Sequence, residues 1–193
     1  MSVPAQMTLQ GWQVADVYTS VDAEIAAARQ GCGLVDESAN GKVLVEGLQA
    51  EKVVAGEQAY RLRPDLYFIS TPPLGVKAVC DRLRAKRGGD FITVTDVTHG
   101  RAEFRFIGPA ATEVLSTVCG LNFADFPDGA AKQSSLAKTP QLIIRRDGGG
   151  LPAFSIIGAR SLGAYLWDVL QRSGATPVGA AAVNTLNVKG GQR

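Results

Sequence analysis

The sequence predicts an α+β fold made of two similar units related by a pseudo-twofold, each with the order strand, helix, hairpin, helix. An internal repeat of about sixty positions is the main observation behind this prediction. Residues 36–47 read DESANGKVLVEG, and residues 96–108 read DVTHGRAEFRFIG. Both segments predict a tight turn, a strand, a glycine that ends the strand, and then the start of a helix.

A hairpin and a second helix complete each unit. Two short apolar strands surround a turn signal, and the stretch that follows has apolar residues at helical spacing. The first unit has strands at 60–62 and 66–69 and a helix at 75–86; the second has strands at 141–145 and 154–157 and a helix at 161–172. We expect the two units to pair their strands into one sheet covered by helices. Chance similarity between two generic α+β segments is the alternative interpretation.

The long strand of the second unit alternates between two kinds of side chain. The apolar face carries Ala102, Phe104 and Phe106, and the charged face carries Arg101, Glu103 and Arg105. This pattern predicts that one face is buried and that the other contacts water or a charged partner. Further helices are predicted at 21–30 and 110–119, with a partly irregular connection at 121–138.

The repeat gives two similar halves, at about residues 31–89 and 91–173.

Composition excludes several classes of protein. The chain has 193 residues, of which 46% are apolar, and this argues against intrinsic disorder. The net charge of +2 is too small for a protein that binds nucleic acid or membrane surfaces mainly through its positive charge. Three cysteines without a pairing pattern and a single histidine predict neither a disulfide framework nor a metal site. Because the sequence lacks a secretory signal and a long apolar run, we expect a cytoplasmic protein.

Asp36 and Asp96 occupy equivalent positions before a hydroxyl residue and a glycine. Either carboxylate could serve as a general base or a ligand contact. Their repetition favours a turn in which the side-chain oxygen accepts hydrogen bonds from nearby backbone N–H groups. His99 could move a proton, but without a second histidine or a serine nucleophile motif it is better explained as a turn residue.

Three further features have both a functional and a structural interpretation. The three glycines at 148–150 could form a phosphate loop, but their place between two strands favours a hairpin tip. Cys32 has no histidine or lysine beside it, which favours packing over reactivity. A basic cluster is either a solvated helix face, which is favoured, or a docking face for an acidic partner. Its members are Lys77, Arg82, Arg84, Lys86 and Arg87.

Several segments resemble the glycine-cleavage T-protein (aminomethyltransferase) superfamily. Residues 36–47 resemble its D-x-S-x-x-G-K-x-x-V-x-G opening, and residues 108–115 resemble its G-P-x-A-x-x-V-L segment. Residues 174–180 resemble its G-x-x-P-x-G stretch, and residues 184–186 read NTL where the family has D-T-L-R. The resemblance covers about residues 18–190. It implies a single domain with the folate-binding-domain fold of that superfamily at residues 18–190, preceded by an N-terminal extension at residues 1–17.

Within this superfamily, the chain is most similar to the γ subunits of heterotetrameric sarcosine oxidases. Its length is about that of the folate domain without the C-terminal barrel. Residues 160–167 (RSLGAYLW) resemble the γ-type R-S-x-x-x-Y-L helix, and residues 131–137 (AKQSSLA) resemble the γ-type T-x-x-A segment. The G-G-x-x-D-D and Y-T-G-E-x-G-F-E segments of the folate enzymes are absent, and with them the carboxylates that assist transfer and grip the pterin. The K-G-C-Y-x-G motif of the iron–sulfur maintenance branch is also absent.

The resemblance therefore implies a non-catalytic, structural γ-type subunit of a flavin-dependent sarcosine (secondary amine) oxidase. Such a chain would have no catalytic, cofactor-binding or metal-binding residues of its own. Its partners would be larger flavoprotein subunits, which would hold FAD, FMN, NAD and tetrahydrofolate. The alternative is a stand-alone tetrahydrofolate-dependent aminomethyl or methyl transferase with a diverged site, in which Asp96 and Arg146 would contact the ligand.

Overall fold

The computed structural model describes residues 5–9 and 11–190. The elements in chain order are β1 (Ala5–Leu9), β2 (Trp12–Val17), α1 (Val21–Gln30), β3 (Gly33–Asp36), β4 (Gly41–Glu46), α2 (Ala50–Val54), β5 (Ala59–Arg63), β6 (Leu66–Thr71), α3 (Val76–Lys86), β7 (Thr93–Asp96), β8 (Arg101–Ile107), α4 (Ala111–Ser116), β9 (Ala131–Leu136), β10 (Thr139–Arg145), β11 (Ala153–Ala159), α5 (Gly163–Arg172), β12 (Thr176–Pro177) and α6 (Ala180–Gly190). Short 3-10 turns lie at Thr98–Gly100 and Arg160–Leu162. The predicted duplicated order of strands and helices is confirmed.

The strands form two large sheets rather than the single sheet that we predicted. The four-stranded sheet has the order β5-β6-β4-β7, and the six-stranded sheet has the order β12-β3-β8-β11-β10-β9. The first strand of each half pairs with the other half: β3 lies antiparallel to β8, and β7 lies antiparallel to β4. Because each half donates one strand to the other, the halves are interlocked and face each other as two sheets.

Each sheet is covered on both faces. Between the two sheets lies an apolar cluster that includes Tyr60, Phe68, Leu142, Ile144 and Ile157. The outer face of the four-stranded sheet packs against α2 and α3, and the outer face of the six-stranded sheet packs against α4 and α5. The inner face of each sheet also carries apolar side chains. Packing a second sheet against that face removes them from water, which favours two sheets over one.

Both aspartate turns are confirmed as turns closed by the aspartate side chain. Asp36 Oδ1 accepts a hydrogen bond from the backbone N–H of Ser38 at 2.9 Å, and Asp96 Oδ1 accepts one from Thr98 N at 2.9 Å. The hydroxyl that follows each aspartate then contacts the opposite half. Thr98 Oγ1 accepts from Lys42 N at 2.9 Å, and Ser38 Oγ accepts from Glu103 N at 3.1 Å. The repeated motif therefore joins the two halves reciprocally.

Three predicted elements differ in extent. The helix predicted at 110–119 ends at Ser116, and the helix predicted at 161–172 begins at Gly163 after a 3-10 turn. The predicted irregular connection contains β9, a polar strand at the edge of the six-stranded sheet. An edge strand with few apolar residues has no clear alternation, so its sequence resembles a loop.

The predicted N-terminal extension contains the hairpin of β1 and β2; residues 1–4 and 10 of that extension lie outside the described residues. The ring of Trp12 stacks on His99, with 5.4 Å between the ring centroids, and the Arg160 guanidinium lies 4.2 Å from the Trp12 ring centre. Among the described residues, no helix combines the length and the hydropathy needed to cross a bilayer.

Gly108 ends β8 where the chain passes very close to the turn after α1. Its φ is +135°, and an added Cβ would lie 2.3 Å from Ala28 O and 2.4 Å from Gly31 O. We expect Gly108→Ala to lower the free energy of unfolding by about 1–3 kcal/mol, because it adds both backbone strain and a collision with two carbonyl groups. Urea denaturation would measure the loss. Gly100→Ala is the matched control, since nothing lies within 4 Å of an added Cβ there, and an equal loss in both variants would contradict the explanation.

Candidate functional site

A buried ion pair lies between the two sheets at the centre of the pseudo-twofold arrangement. Lys42 on β4 and Glu103 on β8 both have side chains that are 0% exposed, and Lys42 Nζ lies 3.2 Å from Glu103 Oε2. Lys42 Nζ also donates to the carbonyl oxygens of Ser38 at 3.1 Å and Asn40 at 2.8 Å. Burial lowers the pKa of Lys42, while the charge of Glu103 acts in the opposite direction. The ammonium group thus donates to two carbonyl oxygens and forms an ion pair with Glu103 Oε2, which accepts no hydrogen bond from any described residue.

Three further charged side chains extend this pair toward one end of the sandwich. Arg146 Nη2 donates to Glu103 Oε1 at 2.6 Å and lies 3.5 Å from Glu37 Oε2. Arg105 Nη1 lies 3.4 Å from Glu37 Oε1. Burial raises the pKa of the Glu37 carboxyl, and the two guanidinium groups oppose this rise. The five groups form one cluster, which we call the central charge network: Lys42, Arg105, Arg146, Glu37 and Glu103.

A cavity of about 630 Å³ opens above this network, and we call it the charged crevice. Its polar lining includes Tyr18, Asp36, Glu37, Asn40, Arg105, Arg146 and Asp147. Burial, together with the charges of Asp36 and Glu24, raises the pKa of Tyr18 to about 12. At neutral pH the Tyr18 hydroxyl is therefore protonated and can donate a hydrogen bond into the crevice.

The carboxylates that line the charged crevice already have partners within the chain. Asp36 accepts from a backbone N–H through Oδ1, and no described residue donates a hydrogen bond to its Oδ2. Glu37 lies between two guanidinium groups. Asp147 Oδ2 accepts from Arg145 Nη2 at 2.9 Å, and Asp147 Oδ1 accepts from Ala153 N at 3.0 Å. A ligand that needs a carboxylate acceptor could use Asp36 Oδ2, but at Glu37 or Asp147 it would have to share or replace an existing contact.

The structure does not bring together the two residues of the alternative transferase prediction. Arg146 lines the charged crevice, but Asp96 is absent from that lining, and its carboxylate closes the turn before Thr98. The crevice instead contains Asp36, the equivalent aspartate of the other half. Within the described residues, no group of histidine, cysteine, aspartate or glutamate side chains has the arrangement of a metal site. The expectation of no catalytic or cofactor-binding residue stays a prediction.

The structural interpretations of the remaining candidates agree with the structure. His99 lies exposed in a 3-10 turn, and the three glycines form the tip of the hairpin between β10 and β11, where Gly149 and Gly150 have φ of 61° and 76°. Cys32 is buried, and burial raises the pKa of its thiol to about 12, so the thiolate is scarce at neutral pH.

The basic cluster on and after α3 is largely neutralised within the chain. Arg82 forms two hydrogen bonds of 2.8 Å with Glu57, and Lys77 pairs with Asp81 at 2.6 Å. Lys86 donates to Ala55 O. These contacts support a solvated helix face rather than a docking face for an acidic partner.

Comparison with known proteins agrees with this architecture. Two curated relatives are the aminomethyltransferases of Synechococcus sp. (strain RCC307) and Lysinibacillus sphaericus (strain C3-41). The first is 24% identical over 93% of this chain and 58% of its own length, and the second is 21% identical over 94% of this chain and 59% of its own length. The chain thus spans less than two thirds of the length of these relatives.

Two solved structures share the fold. The glycine cleavage system aminomethyltransferase T of Bartonella henselae superposes with a TM-score of 0.81 at 19% identity, over 96% of this chain and 58% of that chain. A chain of the heterotetrameric sarcosine oxidase of Corynebacterium sp. U-96 superposes with a TM-score of 0.63 at 21% identity, over 82% of this chain and 94% of that chain. Residues 52–193 match the family described as the GCVT N-terminal domain. The chain therefore belongs to the GCVT N-terminal domain family.

Proposed function

We propose that this chain is a non-catalytic, structural γ-type subunit of a multi-subunit flavin-dependent sarcosine (secondary amine) oxidase. The observation that carries the proposal is the state of the charged crevice. Of its three lining carboxylates, Glu37 is engaged by Arg105 and Arg146 and Asp147 by Arg145, and only Asp36 keeps an oxygen without a hydrogen-bond partner among the described residues. A pterin would bring several N–H donors, and each donor that is buried without an acceptor costs about 1–3 kcal/mol.

One of the structural neighbours supports the same function. It is a chain of a heterotetrameric sarcosine oxidase, and the superposition covers 82% of this chain. A place in a hetero-oligomer is therefore part of the proposal. Under this proposal, FAD, FMN, NAD and tetrahydrofolate bind to larger flavoprotein partners in the cytoplasm. This chain contributes contacts with those partners and no catalytic residues.

Two exposed apolar side chains on neighbouring loops suit such an assembly. Leu48 is 91% exposed and Phe91 is 102% exposed, and the loops adjoin because an added Cβ at Gly47 would lie 2.5 Å from Phe91 O. Exposed apolar side chains on adjoining loops can contribute to an interaction surface. We expect a flavoprotein subunit to cover them.

Co-purification from an extract that contains the native partners tests the proposal. We expect the chain to elute with flavin-bearing subunits, and we expect those subunits to lose thermal stability, but not their flavin chemistry, when the chain is removed. Phe91→Ser should weaken the association at least tenfold, whereas Leu74→Ser, which alters an exposed leucine elsewhere, should leave it unchanged. Normal assembly and stability of the flavin subunits without this chain would reject the proposal.

The second candidate is a stand-alone tetrahydrofolate-dependent transferase with a diverged site. The volume of the charged crevice favours it, since about 630 Å³ falls within the range of small-molecule sites. Calorimetric titration of the full chain with tetrahydrofolate distinguishes the two functions. Binding at micromolar concentration would support the transferase, and the structural subunit predicts none.

A further inference from the structure

The duplication creates a second crevice at the opposite end of the central charge network. This apolar crevice has a volume of about 600 Å³ and lies between the same two sheets. Its apolar lining includes Leu44, Leu62, Phe68, Leu142, Ile157 and Leu162. The two crevices thus flank the Lys42–Glu103 pair, one on each side.

The pseudo-twofold relates the residues of the two crevices. The reciprocal hydroxyl contacts make Lys42 and Glu103 equivalent. Asn40 and Arg101 each lie two residues before these equivalent positions, so they are equivalent to each other. Leu44 and Arg105 each lie two residues after them and are equivalent in the same way. Asn40 and Arg105 line the charged crevice, whereas Arg101 and Leu44 line the apolar crevice. The exchange of Arg105 for Leu44 makes this part of the second crevice apolar, and the charges of its lining are those of Arg101 and Lys138.

Two cations lie in the lining of the apolar crevice. Arg101 is half-buried and Lys138 is exposed. No described residue accepts a hydrogen bond from either side chain or forms an ion pair with it, and the lining contains no aspartate or glutamate. In the charged crevice, by contrast, Arg105 and Arg146 are paired with Glu37. A half-buried guanidinium without a counter-ion favours an anion, and its planar donors suit a carboxylate.

The backbone of the turn that carries Lys138 is unusual. Ala137 and Lys138 connect β9 to β10 with φ of 49° and 61°, a left-handed conformation for which glycine or asparagine is preferred. A lysine at this position costs stability in the turn, but it places a positive charge beside the crevice. Strained residues of this kind often occur at ligand sites.

We propose that the apolar crevice binds a small amphipathic carboxylate, with its apolar body between the sheets and its carboxylate on Arg101 and Lys138. The volume of the crevice and its apolar lining with a few polar groups are typical of small-molecule sites. This site is separate from the charged crevice and does not depend on the proposed assembly.

Titration of the full chain with octanoate, below its micelle concentration, tests the proposal. Calorimetry should show saturable binding, and the methyl resonances of Leu44, Leu142 and Ile157 should shift. Octanol, which lacks the charge, and acetate, which lacks the apolar body, should each bind at least tenfold more weakly. Arg101→Gln should weaken octanoate binding at least tenfold, and Arg29→Gln, which removes an exposed charge on α1, should not change it.

Lys138→Gly separates a ligand-binding role from a structural one. Because glycine tolerates a positive φ, this variant should raise the Tm of the chain while it weakens octanoate binding at least threefold. Equal affinity for octanol and octanoate, or unchanged binding in Arg101→Gln, would overturn the proposal. The absence of octanoate binding would also overturn the proposal. This includes the case in which the methyl resonances shift when a protein partner is added but not when octanoate is added.

Discussion

Glu103→Gln is expected to lower the free energy of unfolding by about 3–5 kcal/mol, which is the usual cost of removing one partner from a buried ion pair. Glu103 faces Lys42 with one oxygen and Arg146 with the other, and both of its neighbours are cations. A neutral amide leaves their two charges with only the carboxylates of Glu37 and Asp36 to stabilise them. It also turns an NH₂ group toward at least one of the two donors.

Urea denaturation at several pH values would measure this loss and identify its cause. The pKa of Lys42 is already below its ordinary value of 10.5, and Glu103 is the largest influence that holds it up. In Glu103→Gln that pKa should fall further. Between the lowered pKa and 10.5 the folded state then holds fewer protons than the unfolded state, so stability should rise with pH in that window. The rise should begin at lower pH in the variant than in the unaltered protein.

Glu46→Gln is the matched control, because Glu46 forms a pair of 2.8 Å with Arg63 on the surface, where both side chains are about half exposed. Surface pairs contribute about 0–1 kcal/mol, so this variant should change little. A loss in Glu103→Gln no larger than that in Glu46→Gln would contradict the explanation. Lys42→Met offers a second check, since combining it with Glu103→Gln should cost less than the sum of the two single losses.

The repeated turn and the order of elements were predictable because their signals are local. Asp36 and Asp96 each precede a hydroxyl residue that completes a turn within two positions, and the apolar spacing of the helices extends over a few turns. The pairing of strands was not predictable in this way. Alternation indicates that β3 and β7 are strands, but it does not indicate that each joins the sheet of the other half. That choice depends on contacts between residues 47–74 positions apart in the chain.

The candidate site was predictable only in part, for the same reason. The alternation of β8 indicated a face with Glu103 and Arg105 that required water or a charged partner, and the structure provides the partner inside the protein. Lys42 gave no such signal, because a lysine in a strand usually faces solvent. Its burial depends on Glu103 at the equivalent position of the other half. Equivalent positions with opposite charges are thus the feature that lets the duplicated halves meet at their centre.

Glu24→Gln is the second substitution with a large expected effect. Glu24 is 1% exposed, and its carboxylate joins two distant parts of the chain. Oε1 accepts from the backbone N–H groups of Tyr18 and Thr19, each at 2.7 Å, and Oε2 accepts from Gly179 N at 2.7 Å. An amide retains one acceptor and turns an NH₂ group toward the other N–H, so at least one buried donor loses its partner.

We expect Glu24→Gln to lower the free energy of unfolding by about 3 kcal/mol, since hydrogen bonds to charged groups are strong and a buried donor without a partner is costly. Hydrogen exchange should locate the effect. The amides of Tyr18, Thr19 and Gly179 should exchange faster, while those of β8 and β11 should change only as far as global stability falls. Glu51→Gln, at an exposed position of α2, should leave both measurements unchanged. If the three amides are no more affected than the central strands, then Glu24 does not hold the chain before α1 against the start of α6, and its burial needs another explanation.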